Sequence, residues 1–185
     1  MNPAGFDPAR LILRAANPDD ALCLGVLGIQ VFLDTYATQG IRPALAREVL
    51  SAFSTTAFAE LFADANTRVE VAEYAGHLVG FSQTSLRAAH ELAPPGVQAE
   101  LCRLYVQEPF TGRAVGTALL RSAEDLASRS GADVLWLTPW VHNQRARAFY
   151  ARRGYRDHGA TVFRFEGEAH ENRVVARTLA AEDGL

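Results

Sequence analysis

The chain has 185 residues, of which 49% are hydrophobic and 21% charged, and its formal net charge is −3. This is the composition of an ordinary globular protein, and we expect one domain over residues 1–185, with 1–9 as a loose lead-in. The acidic balance argues against a nucleic-acid-binding protein, and no apolar run approaches the ~20 residues of a membrane-spanning helix. Met1–Arg10 lacks the basic and apolar regions of a secretory signal, which predicts a cytoplasmic protein.

The cysteine and histidine residues give no sign of a metal site or a disulfide framework. Cys23 and Cys102 are far apart in apolar contexts, so we interpret them as small buried hydrophobic residues. The five histidines are scattered singly, without the spacing of metal ligands. We therefore predict no metal.

The first half of the chain predicts one strand, three helices and a hairpin. Asn17 and Pro18 are typical of a helix start, Leu24, Leu27 and Val31 follow at helical spacing, and Gly40 is placed to end that helix. The predicted segments are a strand over 10–14, helices over 17–40, 43–52 and 55–63, and hairpin strands over 68–74 and 78–84.

The second half alternates strands and helices after a loop over 88–97. The predicted segments are strands over 100–106 and 134–137, helices over 116–131 and 144–153, and closing strands over about 161–165 and 173–178. The fold class is therefore α/β, with a mixed, mostly antiparallel sheet of about seven strands and helices on both faces. The strands on either side of the 116–131 helix should be parallel neighbours.

A glycine-bearing loop joins the 100–106 strand to the next helix. It consists of Thr111, Gly112, Arg113, Ala114, Val115, Gly116 and Thr117. The N–H groups at the first turn of a helix have no acceptors within the helix, and the helix dipole favours an anion there. The loop is thus a candidate phosphate or pyrophosphate site, although it lacks the Lys-Ser/Thr pair of a P-loop.

Several segments resemble the Gcn5-related N-acetyltransferase superfamily. The family's N-x-x-A-x-x-F-Y-x-x-x-G-F/Y pattern is similar to the segment from Asn143 to Phe149-Tyr150, followed by Gly154-Tyr155. The family's L-Y-V strand is similar to Leu104-Tyr105-Val106. The pyrophosphate loop Q/R-x-x-G-x-G/A is matched at Gly116 but departs from the pattern at Thr111 and Ala114.

The resemblance implies an acetyl-CoA site and assigns residues to it. A splayed pair of parallel strands would expose backbone groups of Leu104, Tyr105 and Val106 to pantetheine. The loop over 111–117 would hold the pyrophosphate, and Asn143 would contact the pantetheine arm, although a plain helix cap explains Asn143 as well.

Two residues are candidates for the proton transfers that amine acetylation requires. The resemblance places Tyr150 near the CoA sulfur, where a phenol could protonate the leaving thiolate; the alternative is a core tyrosine bonded to a carbonyl. Glu100 is a candidate base, acting directly or through water, because alternation puts it on the same face as Leu104 and Val106. A salt bridge at the strand start explains Glu100 equally well.

The substrate-groove candidates combine anions with aromatic rings, which suits a cationic amine. They are Asp34, Tyr36, Glu73 and Trp140, and ordinary core packing is an equally good explanation for the aromatic members. Segments around Asp34-Thr35-Tyr36, Trp136 to Trp140 and Val162 to Glu168 are similar to the diamine and polyamine acetyltransferase subgroup.

The sequence thus predicts an acetyl-CoA-dependent N-acetyltransferase acting by direct transfer in a ternary complex. The acceptor is a polyamine or other small amine, or alternatively a protein N-terminus, an amino acid or an amine antibiotic. An alternative of another class is a non-catalytic acyl-CoA-binding module. Homodimers are frequent in the family, so a homodimer stays open.

Overall fold

A computed structural model describes residues 5–165 and 168–179. Within them the helices are α1 (Ala21–Tyr36), α2 (Pro43–Ala52), α3 (Thr55–Ala63), α4 (Val115–Arg129) and α5 (Gln144–Ala151). The strands are β1 (Leu11–Ala15), β2 (Thr67–Tyr74), β3 (His77–Ser85), β4 (Gln98–Val106), β5 (Val134–Leu137), β6 (Arg156–Phe165) and β7 (Glu168–Thr178). Glu166 and Gly167, part of the predicted polyamine-type segment, and residues 1–4 of the lead-in lie outside the described residues.

The strands form one seven-stranded sheet in the order β1-β2-β3-β4-β5-β7-β6. β1–β2, β5–β7 and β6–β7 are antiparallel, whereas β4 and β5 are parallel. The parallel ladder joins Gln98–Glu100 to Val134–Trp136, and β4 then continues to Val106. The predicted fold class is confirmed, including the parallel pair of β4 and β5.

The described residues form two compact units, and the first comprises residues 5–83 and 103–123. Adjacent residues of β2 face its two sides, because side chains alternate along a strand. Val71 packs in a cluster with residues of α1, α2 and α3, and Ala72 packs in another cluster with Val115 and Leu119 of α4. The predicted helices on both faces of the sheet are thus present within this unit.

Part of the predicted lead-in is held by contacts within the first unit. The ring of Phe6 stacks on Tyr74 with centroids 4.8 Å apart, and Pro8–Arg10 form a short 3-10 helix capped by Asp7. Sequence reasoning missed this helix because its three residues carry no periodic apolar signal.

The second unit comprises residues 84–102, 124–165 and 168–179. Its core includes Val134 and Trp136 of β5 and Ala176 of β7, packed with Ala93 of the loop before β4. The Trp136 indole N–H donates to the Ala88 carbonyl at 2.8 Å, which ties that loop to β5.

Several element boundaries differ from the sequence predictions, including the start of β7 at Glu168 rather than Arg173, and two of the differences have identifiable reasons. The α1 helix ends at Tyr36 rather than at Gly40, which instead closes a turn by donating its N–H to Ala37 at 3.0 Å. β6 begins at Arg156, five residues before its predicted start, because a register shift between Asp157 and Gly159 keeps the chain paired with β7.

Candidate active site

The C-terminal half of β4 carries the predicted pantetheine-binding segment and belongs to the first unit. Leu104 and Val106 pack in the cluster that contains Val115 and Leu119 of α4. The Tyr105 ring lies in the other cluster, 5.3 Å from the ring of Phe81 between centroids. The strand therefore presents two chemically different faces, and burial raises the pKa of the Tyr105 phenol.

β3 approaches the backbone of this segment closely. A Cβ atom added to Gly80 would lie 2.7 Å from the Tyr105 carbonyl oxygen, and the Gln107 N–H donates to the Val79 carbonyl at 3.0 Å. Only glycine fits between the two strands at this point without a shift of the backbone. The position of the β4 backbone is thus fixed from the β3 side.

The candidate pyrophosphate loop turns through two residues of positive φ, Gly112 at 71° and Ala114 at 64°. The Thr111 hydroxyl donates to the Glu108 carbonyl at 2.8 Å, and Arg113 Nε donates to the Pro109 carbonyl at 3.0 Å. These bonds hold the loop in shape, and α4 begins directly afterwards with Val115. Ala114 occupies the position at which the family pattern has glycine, and its left-handed backbone explains why glycine suits that position.

The substrate-groove candidates of the first unit differ in their surroundings. Glu73 accepts a hydrogen bond from Arg14 Nε at 3.2 Å, so its carboxylate is held in an ion pair. Asp34 is exposed on α1. The ring of Tyr36 lies 4.5 Å from the ring of Phe32, and burial raises the pKa of the Tyr36 phenol although 38% of the residue is exposed.

Two polar residues on the strands that carry the Phe81 and Tyr105 rings were missed by the sequence analysis. The Arg103 guanidinium lies over the ring of Phe53, 4.8 Å from its centroid, and its buried Nη1 has no hydrogen-bond partner among the described residues. Gln83 of β3 is 8% exposed, and its Oε1 is likewise buried without a partner. A charged residue two positions before Tyr105 on a strand was the available signal, because alternation puts both on one face.

Glu100 lies in the second unit, where β4 pairs with Trp136 of β5. Desolvation raises the pKa of its carboxyl, and a hydrogen bond from the Cys102 thiol opposes this shift. A carboxylate with a raised pKa is a stronger base than a solvated one, which is compatible with the role predicted for Glu100.

The α5 helix carries the remaining candidates of the second unit. The Asn143 side-chain oxygen accepts a hydrogen bond from the Ala146 N–H at 3.0 Å, so Asn143 is an N-cap as the sequence indicated. Tyr150 is 6% exposed, and its ring lies 5.6 Å from that of Tyr155. The Trp140 ring contacts His142 before the helix begins.

The structure thus brings the site candidates together in two sets. The first unit holds Asp34, Tyr36, Glu73, Leu104, Tyr105, Val106 and the loop over 111–117. The second unit holds Glu100, Trp140, Asn143 and Tyr150. Among the described residues no group of histidine, cysteine, aspartate and glutamate could hold a metal ion, and no helix is long and apolar enough to cross a membrane.

Comparison with known proteins identifies the family. A profile of the Acetyltransferase (GNAT) family matches residues 38–155, more than half of the chain. An uncharacterized N-acetyltransferase of Mycobacterium tuberculosis (strain H37Rv) is 30% identical over 138 residues, covering 72% of this chain and 83% of that protein. The aminoalkylphosphonate N-acetyltransferase of Salmonella typhimurium is 32% identical over 108 residues, covering 58% of this chain and 67% of that protein.

The fold is also that of a solved acetyltransferase. PaiA N-acetyltransferase from Thermoplasma acidophilum, in complex with coenzyme A, superposes with a TM-score of 0.70 at 18% identity, covering 91% of this chain and 98% of that one. The chain therefore belongs to the GNAT family of acetyltransferases and is an acetyl-CoA-dependent N-acetyltransferase.

Proposed function

We propose that the enzyme transfers the acetyl group of acetyl-CoA to the primary amine of a small molecule, by direct attack within a ternary complex. The observation that carries this proposal is the course of β4, whose ladder with β5 ends at Glu100 while the strand continues to Val106. Where a strand extends beyond the end of its neighbour, its free edge can pair with an extended ligand by backbone hydrogen bonds. Pantetheine, with its two amides, is such a ligand.

The cofactor contacts follow from the local structure of each segment. The left-handed residues Gly112 and Ala114 turn the loop so that it runs into the first turn of α4, where N–H groups favour a phosphate. The Asn143 side-chain oxygen is used by its helix cap, so a contact to the pantetheine arm would be donated by its amide nitrogen.

The chemical step needs a neutral amine, a stabilised oxyanion and a proton for the thiolate. The amine nitrogen forms a bond to the carbonyl carbon, and the carbon–sulfur bond then breaks. Glu100 or an ordered water accepts the proton of the amine, the Leu104 N–H stabilises the oxyanion, and Tyr150 protonates the departing thiolate. A phenol of ordinary pKa near 10 and a thiol near 8.5 are matched closely enough for that transfer.

A thiol-release assay with acetyl-CoA tests the proposal. The acceptors to compare are putrescine, spermidine, spermine, amino acids, N-terminal peptides and aminoglycosides, and mass spectrometry identifies the acetylated product. We expect one class of small primary amine to stimulate thiol release. Acetyl-CoA binding by calorimetry without release from any acceptor would contradict the proposal and favour an acyl-CoA-binding module.

A further inference from the structure

The Arg103 guanidinium is charged and partly buried, yet it lacks the partner that other arginines of the chain have. Within the described residues, its buried Nη1 has no hydrogen-bond partner and the Arg103 side chain forms no ion pair. Arg14 pairs with Asp20 at 2.8 Å, Arg173 with Asp157 at 2.8 Å, and Arg177 with Glu124 at 3.0 Å. A buried cationic donor is costly unless an anion or acceptor completes it.

The surroundings of Arg103 favour a ligand rather than solvent. Its guanidinium stacks on the ring of Phe53, whose centroid lies 6.0 Å from that of Tyr105 and 5.8 Å from that of Phe32. Stacking fixes the plane of the guanidinium and leaves its edge as a planar fork of donors. The cluster reaches the surface at Tyr36, which is 38% exposed and whose ring contacts Phe32.

Gln83 supplies the complementary group. It follows Phe81 by two positions on β3, so alternation puts it on the side of the strand that carries the Phe81 ring. The Phe81 ring in turn contacts Tyr105. In the part of the chain that the structure describes, the buried Oε1 of Gln83 is an acceptor without a donor, while Arg103 Nη1 is a donor without an acceptor. A ligand with an anion at one end and an amine at the other satisfies both groups.

We infer that the acceptor is a small primary amine that also carries a carboxylate or phosphonate group, and that Arg103 binds that anion. This inference rests on the proposed function and narrows its substrate class. A diamine or polyamine would place a second cation against Arg103 and leave its donors unpaired, so polyamines are disfavoured acceptors. Arg103 immediately precedes Leu104, so an anion bound there lies within one strand residue of the proposed oxyanion donor.

Four acceptors of similar length isolate the effect of the anion. Aminopropylphosphonate and γ-aminobutyrate carry an anion, butylamine is uncharged at the same end, and putrescine carries a second amine. We expect kcat/KM for the better of the two anionic acceptors to exceed that for butylamine and for putrescine by about tenfold to hundredfold. The two anionic acceptors distinguish a phosphonate from a carboxylate.

Variants of Arg103 then test whether this residue makes the selection. Arg103→Gln should reduce the ratio of kcat/KM for the anionic acceptor to that for butylamine to about one, and Arg103→Lys should restore part of this preference. The matched control is Arg10→Gln, because Arg10 also lies over an aromatic ring, 5.4 Å from the Tyr74 centroid, but is exposed. Thermal unfolding checks that each variant folds.

The outcomes separate this inference from the proposed function. Preferred acetylation of putrescine, or an anionic preference that survives Arg103→Gln, overturns the inference and leaves the proposed function standing. Loss of stability in Arg103→Gln without any change in selectivity would make Arg103 a structural partner of Gln83 and would also overturn it. Absence of thiol release from every amine overturns the proposed function and the inference with it.

Discussion

In our proposals, the free edge of β4 and the side of β4 that carries Arg103 serve different kinds of recognition in the first unit. Leu104 and Val106 pack against α4, so at this segment β4 would offer the cofactor the backbone groups of its free edge. Tyr105 faces the aromatic cluster, and Arg103, two positions earlier, lies over Phe53 of the same cluster. Recognition by backbone tolerates changes of sequence, whereas recognition by side chains is specific to each member. Cofactor binding chiefly through backbone groups is compatible with the departures of this chain from the family pattern at Thr111 and Ala114.

The largest expected effect comes from Tyr150. Tyr150→Phe should lower kcat by about 100-fold or more with little change in acetyl-CoA affinity, because it removes a proton donor rather than a binding contact. Stopped-flow thiol release and calorimetry measure the two quantities.

The control is Tyr155→Phe, since the neighbouring Tyr155 hydroxyl donates to Glu124 at 3.0 Å and has no proposed catalytic role. Equal turnover in Tyr150→Phe and the wild type at saturating substrates would remove Tyr150 from the acid role.

Two glycine substitutions should distinguish the role of the β4 backbone from that of the side of β4 that carries Arg103. A Cβ at Gly80 would lie 2.7 Å from the Tyr105 carbonyl oxygen, and a Cβ at Gly28 would lie 2.4 Å from the Phe53 ring. Each alanine variant should lose about 1–3 kcal/mol of stability through overpacking, measured by urea unfolding.

Their functional effects should differ. Gly80→Ala shifts backbone and should weaken acetyl-CoA binding, whereas Gly28→Ala shifts the ring beneath Arg103 and should raise KM for the acceptor. Equal changes in acetyl-CoA affinity and in acceptor KM in both variants would argue against separate roles for the β4 edge and the Arg103 side.

The charged form of Glu100 should lower the stability of the enzyme at neutral and alkaline pH, which is the opposite of the usual effect of a paired carboxylate. Desolvation raises the pKa of its carboxyl, so the folded state pays a cost for the charged form at neutral pH that disappears as the pH falls below the raised value. Glu100→Gln should therefore raise Tm at about pH 8 and have little effect at about pH 4.

Asp157→Asn is the control of opposite sign. The Arg173 guanidinium lowers the pKa of the Asp157 carboxyl, so this pair stabilises the fold above the ordinary pKa and loses its effect as the pH falls. Asp157→Asn should thus lower Tm at about pH 8. A decrease of Tm in both variants at this pH would mean that Glu100 is stabilised by an ion pair rather than desolvated.

The smallest expected effect concerns the left-handed residue of the loop. Ala114→Gly should raise the free energy of unfolding by about 0.5–1 kcal/mol, because glycine adopts positive φ without a steric penalty. Ala75→Gly, at φ 51° in the turn between β2 and β3, should give a similar gain and serves as the control. Acetyl-CoA affinity should change only in Ala114→Gly. An equal change in affinity in the control would contradict a role for the loop in cofactor binding.

The sequence predicted those parts of the molecule that depend on local signals. The cap at Asn143 and the extent of β5 follow from residue type and apolar runs, and both are as expected. The extension of β6 was not predicted, because a glycine that permits a bulge has the same local pattern as one that ends a strand.

The environment of Arg103 was not predicted for a different reason. It depends on Phe53, which follows α2 and lies 50 positions earlier in the chain, packing beneath β4. A contact between residues so distant in sequence leaves no trace in periodicity or spacing. Sequence motifs therefore predicted the candidate cofactor residues, whereas Arg103 became a candidate acceptor residue only from the structure.

Initial-rate kinetics with both substrates varied test the central claim most directly, namely that acetyl-CoA and the amine are bound at the same time and react directly. The account predicts double-reciprocal lines that intersect, and no acetylated enzyme by intact mass spectrometry when acetyl-CoA is added alone. Parallel lines together with a stable acetyl-enzyme would contradict it, because the acetyl group would then reach the amine by way of the protein.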